Sequence, residues 1–199
     1  KTLLLWPSPG LHSSVESGVI PIETFDSDPS SGIDTTDYTG DGDADLVIAE
    51  PGTGTVKLFD GPIEDATALF TPDVTVTQDN PSFGLSLCAG QLLGDGHSSI
   101  AVASQSDADA STSVEIFSPA DGFSEPVVRF VGSGTHQIGT ETRCEDIDGD
   151  GHPDLLSSYQ SFDTDDGGIA GTITMFHGPF SRLVGSTIEA SESADRVWR

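Results

Sequence analysis

Asp146, Asp148, Asp150 and Asp154 stand at positions 1, 3, 5 and 9 of the segment Asp146-Ile147-Asp148-Gly149-Asp150-Gly151-His152-Pro153-Asp154. In a tight loop alternate side chains converge on one centre, and a glycine at position 6 permits the sharp turn. Four carboxylates so placed, with the His152 carbonyl as a further oxygen, suit a hard divalent cation, which takes about six to eight oxygen ligands. The expected ion is calcium, with His152 contributing backbone and not imidazole.

The loop is similar to the first nine positions of an EF-hand, but it lacks the Glu at position 12 and leads into an apolar strand pattern, not a helix. A second copy, Asp37-Tyr38-Thr39-Gly40-Asp41-Gly42-Asp43-Ala44-Asp45, keeps carboxylates at positions 1, 5 and 9. It puts Thr39, a weaker ligand, at position 3 and Asp43 at position 7. A third copy, Gln91 to Ser99, retains only Asp95 as a carboxylate and is expected to be empty of metal. Two calcium sites are therefore expected. Against this stands the plain preference of Asp for solvated turns. Carboxylates gathered without a cation repel one another, so metal binding is expected to be structural and coupled to folding of the hairpins.

These loops must be held by a repeated scaffold. Thr55-Val56-Lys57-Leu58-Phe59-Asp60-Gly61-Pro62 lines up with Ser113-Val114-Glu115-Ile116-Phe117-Ser118-Pro119 and with Thr172-Ile173-Thr174-Met175-Phe176-His177-Gly178-Pro179. Thr2 to Pro9 is a fourth copy. A second register, Asp45 to Ala49, Ser99 to Ala103 and Asp154 to Ser158, repeats at 54 and 55 residues. A repeat of this length points to stacked supersecondary units. Each segment is short, rich in Val, Ile, Thr and Phe, and bounded by Gly, Pro, Ser or Asp, which reads as strand and turn in an all-β chain.

One unit resolves into four strands, Phe83 to Ala89, Ile100 to Ala103, Val114 to Phe117 and Val127 to Val131. Four short antiparallel strands per repeat describe the blade of a β-propeller. Full blades are assigned to residues 29–78, 83–131 and 138–190. Residues 1–24 supply the outer half of a preceding blade and 191–199 the start of the next. About three and a half blades form an incomplete ring with sheet edges to cover, so the chain is expected to be part of a longer protein or to be completed by a second chain.

Phe83-Gly84 with Ile138-Gly139, the Asp-x-Asp-x-Asp-Gly-x-x-Asp loop leading into an apolar strand, and the third strand ending in Phe-x-Gly-Pro together resemble the FG-GAP repeats of integrin α-subunit propellers and their bacterial relatives. The resemblance covers essentially the whole chain. The Gly-Ala-Pro element appears only as Ala49-Glu50-Pro51, and the first unit lacks a Phe-Gly. The resemblance implies a secreted or cell-surface protein whose calcium-stabilised blades serve adhesion or act as a platform for protein partners. Carbohydrate binding or hydrolytic or lyase-type propeller chemistry is the alternative.

Composition narrows the partners. With 33 acidic residues against 7 basic ones the formal net charge is −26, which argues against binding a phosphate backbone. Nine of the acids lie in the three loops; the rest read as a solvated surface, with adaptation to salt as a further explanation. No run approaches the roughly 20 apolar residues of a membrane helix, and the chain reads as a mature, soluble form. Cys88 and Cys144 are placed on first strands of adjacent units, where either a disulfide or two buried thiols would fit.

No HExxH, GxSxG, phosphate-cradling or dinucleotide fingerprint occurs, and no residue is nominated for catalysis. Phe59, Phe117 and Phe176 read as blade core, and Trp6 and Trp198 as packing at a seam. The loop between second and third strands grows from Glu50–Gly54 to Tyr159–Gly168, either as a tolerated insertion or as a binding element on the rim opposite the metal loops.

Overall fold

The computed structural model describes residues 2–5, 20–24, 32–63, 71–106, 108, 110–132, 136–163 and 169–190. Among these the chain is all-β, with no α-helix. Trp6, Trp198, residues 191–199 and residues 164–168 of the expected loop between second and third strands of the third unit lie outside the described residues.

The strands β1 (Thr2–Leu5) and β2 (Ile20–Thr24) pair as an antiparallel hairpin. Next come β3 (Ile33–Thr36), β4 (Asp45–Glu50), β5 (Thr55–Phe59) and β6 (Val74–Thr77), a four-stranded antiparallel meander in sequence order. A second meander follows in β7 (Leu87–Gly90), β8 (Ser99–Gln105), β9 (Thr112–Phe117) and β10 (Pro126–Gly132). The third contains β11 (Glu141–Glu145), β12 (Asp154–Asp163) and β13 (Ile169–Phe176).

Period-two alternation explains how these sheets stack. The second sheet is apolar on both faces, as a sheet covered on both sides must be. Its Leu87, Ile100, Val102 and Phe117 join Val47, Ala49, Val56 and Leu58 of the first sheet in one core. Its Cys88, Ala101, Ala103, Val114 and Ile116 face the other way and join Leu155 and Phe176 of the third sheet. Phe59 and Phe117 are each 1% exposed and Phe176 8%, which places the third-strand aromatics in the core.

The first strands of the three sheets lie side by side. Asp34 on β3 accepts the Ala89 N–H at 2.9 Å, and the Ser86 and Thr142 hydroxyls meet at 3.0 Å. Cys88 and Cys144 form a disulfide with their Cα atoms 5.6 Å apart, so of the two pairings open from sequence the oxidised one is found. Gly84 and Gly139 press against Ala49 and Ala103 of the preceding sheet, where a Cβ would come within 2.9 and 3.1 Å of the alanine methyl. The glycines set the sheet-to-sheet approach at each junction.

Three expectations are corrected. The first strand of the second unit begins at Leu87, not Phe83, because Gly84 and Leu85 both turn their N–H groups onto the Ala103 carbonyl. Phe83 instead fills the core from a turn, wholly buried. The described part of the segment Tyr159–Gly168 is strand and not loop, since β12 runs on to Asp163, with an irregularity between Tyr159 and Phe162.

The third correction concerns the last strand of the third unit. β14 (Ser186–Glu189) does not extend β13; it pairs in parallel with β10 of the second sheet. The reason lies just upstream, in the 3-10 turn Phe180–Leu183. Phe180 is wholly buried against Phe130, with ring centroids 5.3 Å apart, and its N–H bonds the Leu92 carbonyl at 2.8 Å. Gly185 then donates to Val127 and Ala190 to Val131, which ties the strand to β10. Among the described residues the third unit thus holds three antiparallel strands, and they do not close a ring.

Candidate metal centre

Each nine-residue loop joins the first and second strands of its sheet, so the register of the sheet decides where its carboxylates go. In the third loop the last carboxylate, Asp154, opens β12 and points inward, 1% exposed. Its Oδ2 accepts the Ile147 N–H at 3.0 Å and its Oδ1 the Gly178 N–H at 3.0 Å. Asp154 therefore pins the start of the loop to the end of β13.

Asp146 folds the turn over itself, accepting the N–H groups of Gly149 at 2.7 Å and Gly151 at 2.9 Å. Asp148 Oδ1 takes the Asp150 N–H at 3.1 Å, and Asp150 Oδ1 the His152 N–H at 2.8 Å. A carboxylate has about four acceptor positions, so each of these keeps lone pairs free. Oxygens of the exposed Asp146, Asp148 and Asp150 lie within 4.8 Å of one another. Even in water, unit charges about 4 Å apart repel by about 1 kcal/mol per pair, which a divalent cation would reverse. Gly151 takes φ of 90°, the turn expected at position 6. His152 has its backbone N–H engaged, and its ring is not in either cluster of close ligand atoms.

The first loop repeats the frame. Asp45, fully buried, accepts Tyr38 N–H at 2.8 Å and Thr39 N–H at 3.2 Å on Oδ2, and Gly61 N–H at 2.8 Å on Oδ1. Asp37 accepts the N–H groups of Gly40, Asp41 and Gly42 at 2.6, 3.1 and 3.0 Å. Asp41 Oδ1 accepts the Asp43 N–H at 2.9 Å, and Thr39 Oγ1 reaches Asp37 at 3.5 Å. No trio of carboxylates in this loop converges as closely as the one at Asp146, Asp148 and Asp150 among the described residues. Thr39 at position 3 removes the central member.

The second loop shows what is lost when the ninth residue changes. Ser99 replaces the buried carboxylate, and its hydroxyl is buried without a hydrogen-bond partner. Leu92 N–H turns instead to the Gly90 carbonyl, and Pro119, which has no N–H, follows Ser118 where the other units have a Gly-Pro pair. Asp95 only caps its own turn, accepting the His97 N–H at 3.0 Å.

Sequence reasoning missed the residue just after the third strand. His177 follows β13, and its Nδ1 lies 3.1 Å from Asp148 Oδ2 and 3.6 Å from Asp154 Oδ1. Asp60 is its counterpart after β5. Partial desolvation and then the charges of Asp45, Asp41 and Asp73 push the Asp60 carboxyl above the ordinary carboxylate range, with a hydrogen bond to Asp45 adding to this. The signal was available, because the repeat alignment sets Asp60, Ser118 and His177 in one column. The glycine after Asp60 and after His177 is also dictated by the loop: a Cβ on Gly61 or Gly178 would overlap the carbonyl of Ala44 or Pro153.

Tyr38, at position 2 of the first loop, is 7% exposed and packs edge-on to Phe123 at 5.8 Å. Its hydroxyl has no hydrogen-bond partner, and burial, then Asp73, Asp45 and Asp60, hold its ionisation well above the ordinary tyrosine range.

A cavity of about 550 Å³ lies beside the first strands, lined among others by Asp34, Cys88, Glu141, Arg143, Cys144 and Glu145. Arg143 sits 3.4 Å from Glu141 and Asp34 is held by Ala89 N–H. No aromatic side chain is among the lining residues. No helix among the described residues is long and apolar enough to cross a membrane. The fold and site define an all-β repeat chain with acidic loops at equivalent turns. No family model matches this chain, and no curated protein matches it.

Proposed function

We propose that this chain is part of an extracellular, non-enzymatic β-propeller whose blade turns bind calcium, and that it serves adhesion or protein assembly. One observation carries the metal reading: Asp146, Asp148 and Asp150 converge at the turn of a repeated sheet unit, on a frame anchored by the buried Asp154. In this reading Asp146, Asp148, Asp150, Asp154 and the His152 carbonyl hold one ion. Asp37, Thr39, Asp41, Asp45 and the Asp43 carbonyl hold a weaker one. Calcium supplies positive charge where carboxylates crowd, and the loops stiffen the turns between first and second strands.

The propeller reading is supported by three sheets stacked face to face with their first strands side by side, the order of blades around an axis. Another part of the same protein or a second chain then completes the ring. The Cys88–Cys144 disulfide supports an oxidising compartment, consistent with secretion or the cell surface. Carbohydrate binding is the weaker reading, since the cavity beside the first strands offers acids but no ring on which a sugar would stack.

Calcium titrated into chelator-stripped protein tests the metal reading. With free calcium at about a hundred times its dissociation constant, one site adds about 2.7 kcal/mol to stability. The melting temperature is expected to fall in excess EGTA, and an unchanged melt would sink the reading.

A further inference from the structure

The third loop differs from the first in the residue that the following strand delivers to it. After β5 that residue is Asp60, an oxygen donor; after β13 it is His177, a nitrogen donor. His177 Nδ1, Asp148 and Asp154 offer ligand atoms all within 4.8 Å of one another. This trio is separate from the three exposed carboxylates and shares only Asp148 with them.

The shared residue divides its two oxygens. Asp148 Oδ1 takes a backbone N–H inside the loop, while Oδ2 faces the imidazole at 3.1 Å. Asp154 is immobilised by two backbone donors, one of them the N–H of Gly178, the neighbour of His177. The buried carboxylate thus fixes the backbone that carries the imidazole facing it.

We propose that His177, Asp148 and Asp154 form a second cation position beside the calcium loop, and that it takes a borderline divalent ion of the zinc class. Calcium and magnesium choose oxygen donors, whereas imidazole with carboxylates suits zinc and its neighbours. Ligands at about 2.0–2.1 Å from a tetrahedral zinc stand roughly 3.3 Å apart. The observed separations of 3.1 and 3.6 Å from Nδ1 bracket that value. Three protein ligands leave the fourth position to water. The first loop, with Asp60 in place of the imidazole, has no such position. The inference rests on and extends the proposed reading of the third loop as a cation centre: it shares Asp148 and Asp154 with the calcium set and adds the imidazole nitrogen, which selects a different ion.

The test is zinc binding by calorimetry to the intact disulfide-bonded chain, with calcium held saturating, together with the visible absorption of bound Co2+. Wild-type protein is expected to take up one equivalent of zinc that calcium does not displace. His177→Ala is expected to weaken that binding on the order of ten- to a hundredfold or more, as loss of a ligand costs at least what loss of a supporting group does. His177→Asp, which reproduces the first unit, should lose the nitrogen-dependent cobalt spectrum while keeping the calcium-dependent melt. His97→Ala, in the second loop, should leave zinc affinity unchanged. Equal zinc affinity in wild type and His177→Ala, or no zinc uptake in calcium, overturns the inference and marks His177 as a simple ion-pair partner of the two aspartates. A calcium-independent melt with His177-dependent zinc binding would instead remove the calcium reading and leave this one standing.

Discussion

The side chain of Asp154 accepts the backbone N–H of Gly178 at 3.0 Å, joining the acidic loop before β12 to the chain leaving β13. Asp45 and Gly61 repeat the contact at 2.8 Å in the first unit. The ninth loop residue is therefore a structural hub whether or not a cation is bound. It satisfies backbone donors both in its own loop and across the sheet, two for Asp154 and three for Asp45.

Replacing Asp154, itself 1% exposed, by Ala strips partners from the part-buried Ile147 and Gly178 N–H groups. A fully buried orphaned donor costs about 1–3 kcal/mol, and since water reaches these two in part, a loss of roughly 1–3 kcal/mol in all is expected in urea unfolding under EGTA. Asp154→Asn keeps one acceptor oxygen and should lose about half as much. Asp150→Asn, at an exposed position bonding only the next turn residue but one, should change metal-free stability by less than about 1 kcal/mol. Equal losses for Asp154→Ala and Asp150→Asn would refute the hub.

This division of labour shows what the sequence could carry. The loop carboxylates, the second strands and the core phenylalanines were legible because each repeats at fixed offsets in two registers. The apolar alternation that buries Val47 and Ala49 on one face and Ala101 and Ala103 on another is local, and local patterns are read directly. The parallel pairing of β14 with β10 was not legible. It depends on Phe180 wedging against Phe130 and Leu92, contacts between residues far apart in sequence. His177 and Asp60 lay in view in the repeat alignment, but their approach to the loops needed the strand register to reveal it.

The disulfide gives a prediction that is independent of metal. Cys88 and Cys144 are 56 residues apart and bridge the first strands of adjacent sheets, so the closed loop restricts the unfolded chain strongly. The chain-entropy relation gives roughly 4 kcal/mol for a loop of that length. Cys88→Ser with Cys144→Ser is expected to lower the urea midpoint accordingly. Intact mass should rise by two hydrogens on reduction. Loss of stability well under about 1 kcal/mol would show that the paired strands hold without the bridge.

The acidic turn around Asp60 predicts how metal-free protein responds to pH. Asp60 has its proton affinity raised in the folded state by partial desolvation and by the charges of Asp45, Asp41 and Asp73. The folded state therefore binds this proton more tightly than the unfolded chain does, and the sign follows by linkage. Its contribution is fully present below the ordinary carboxylate value of about 4 and is lost as pH rises through the raised folded value. In EGTA, urea midpoints measured from acid toward neutral pH should include a decline that Asp60→Asn removes, so the difference between the two proteins grows with pH and then levels. Adding calcium should shrink that difference, because a cation in the first loop compensates the charges that Asp60 faces. A wild-type and Asp60→Asn difference that stays flat across the range would show that the four carboxylates are screened from one another by solvent.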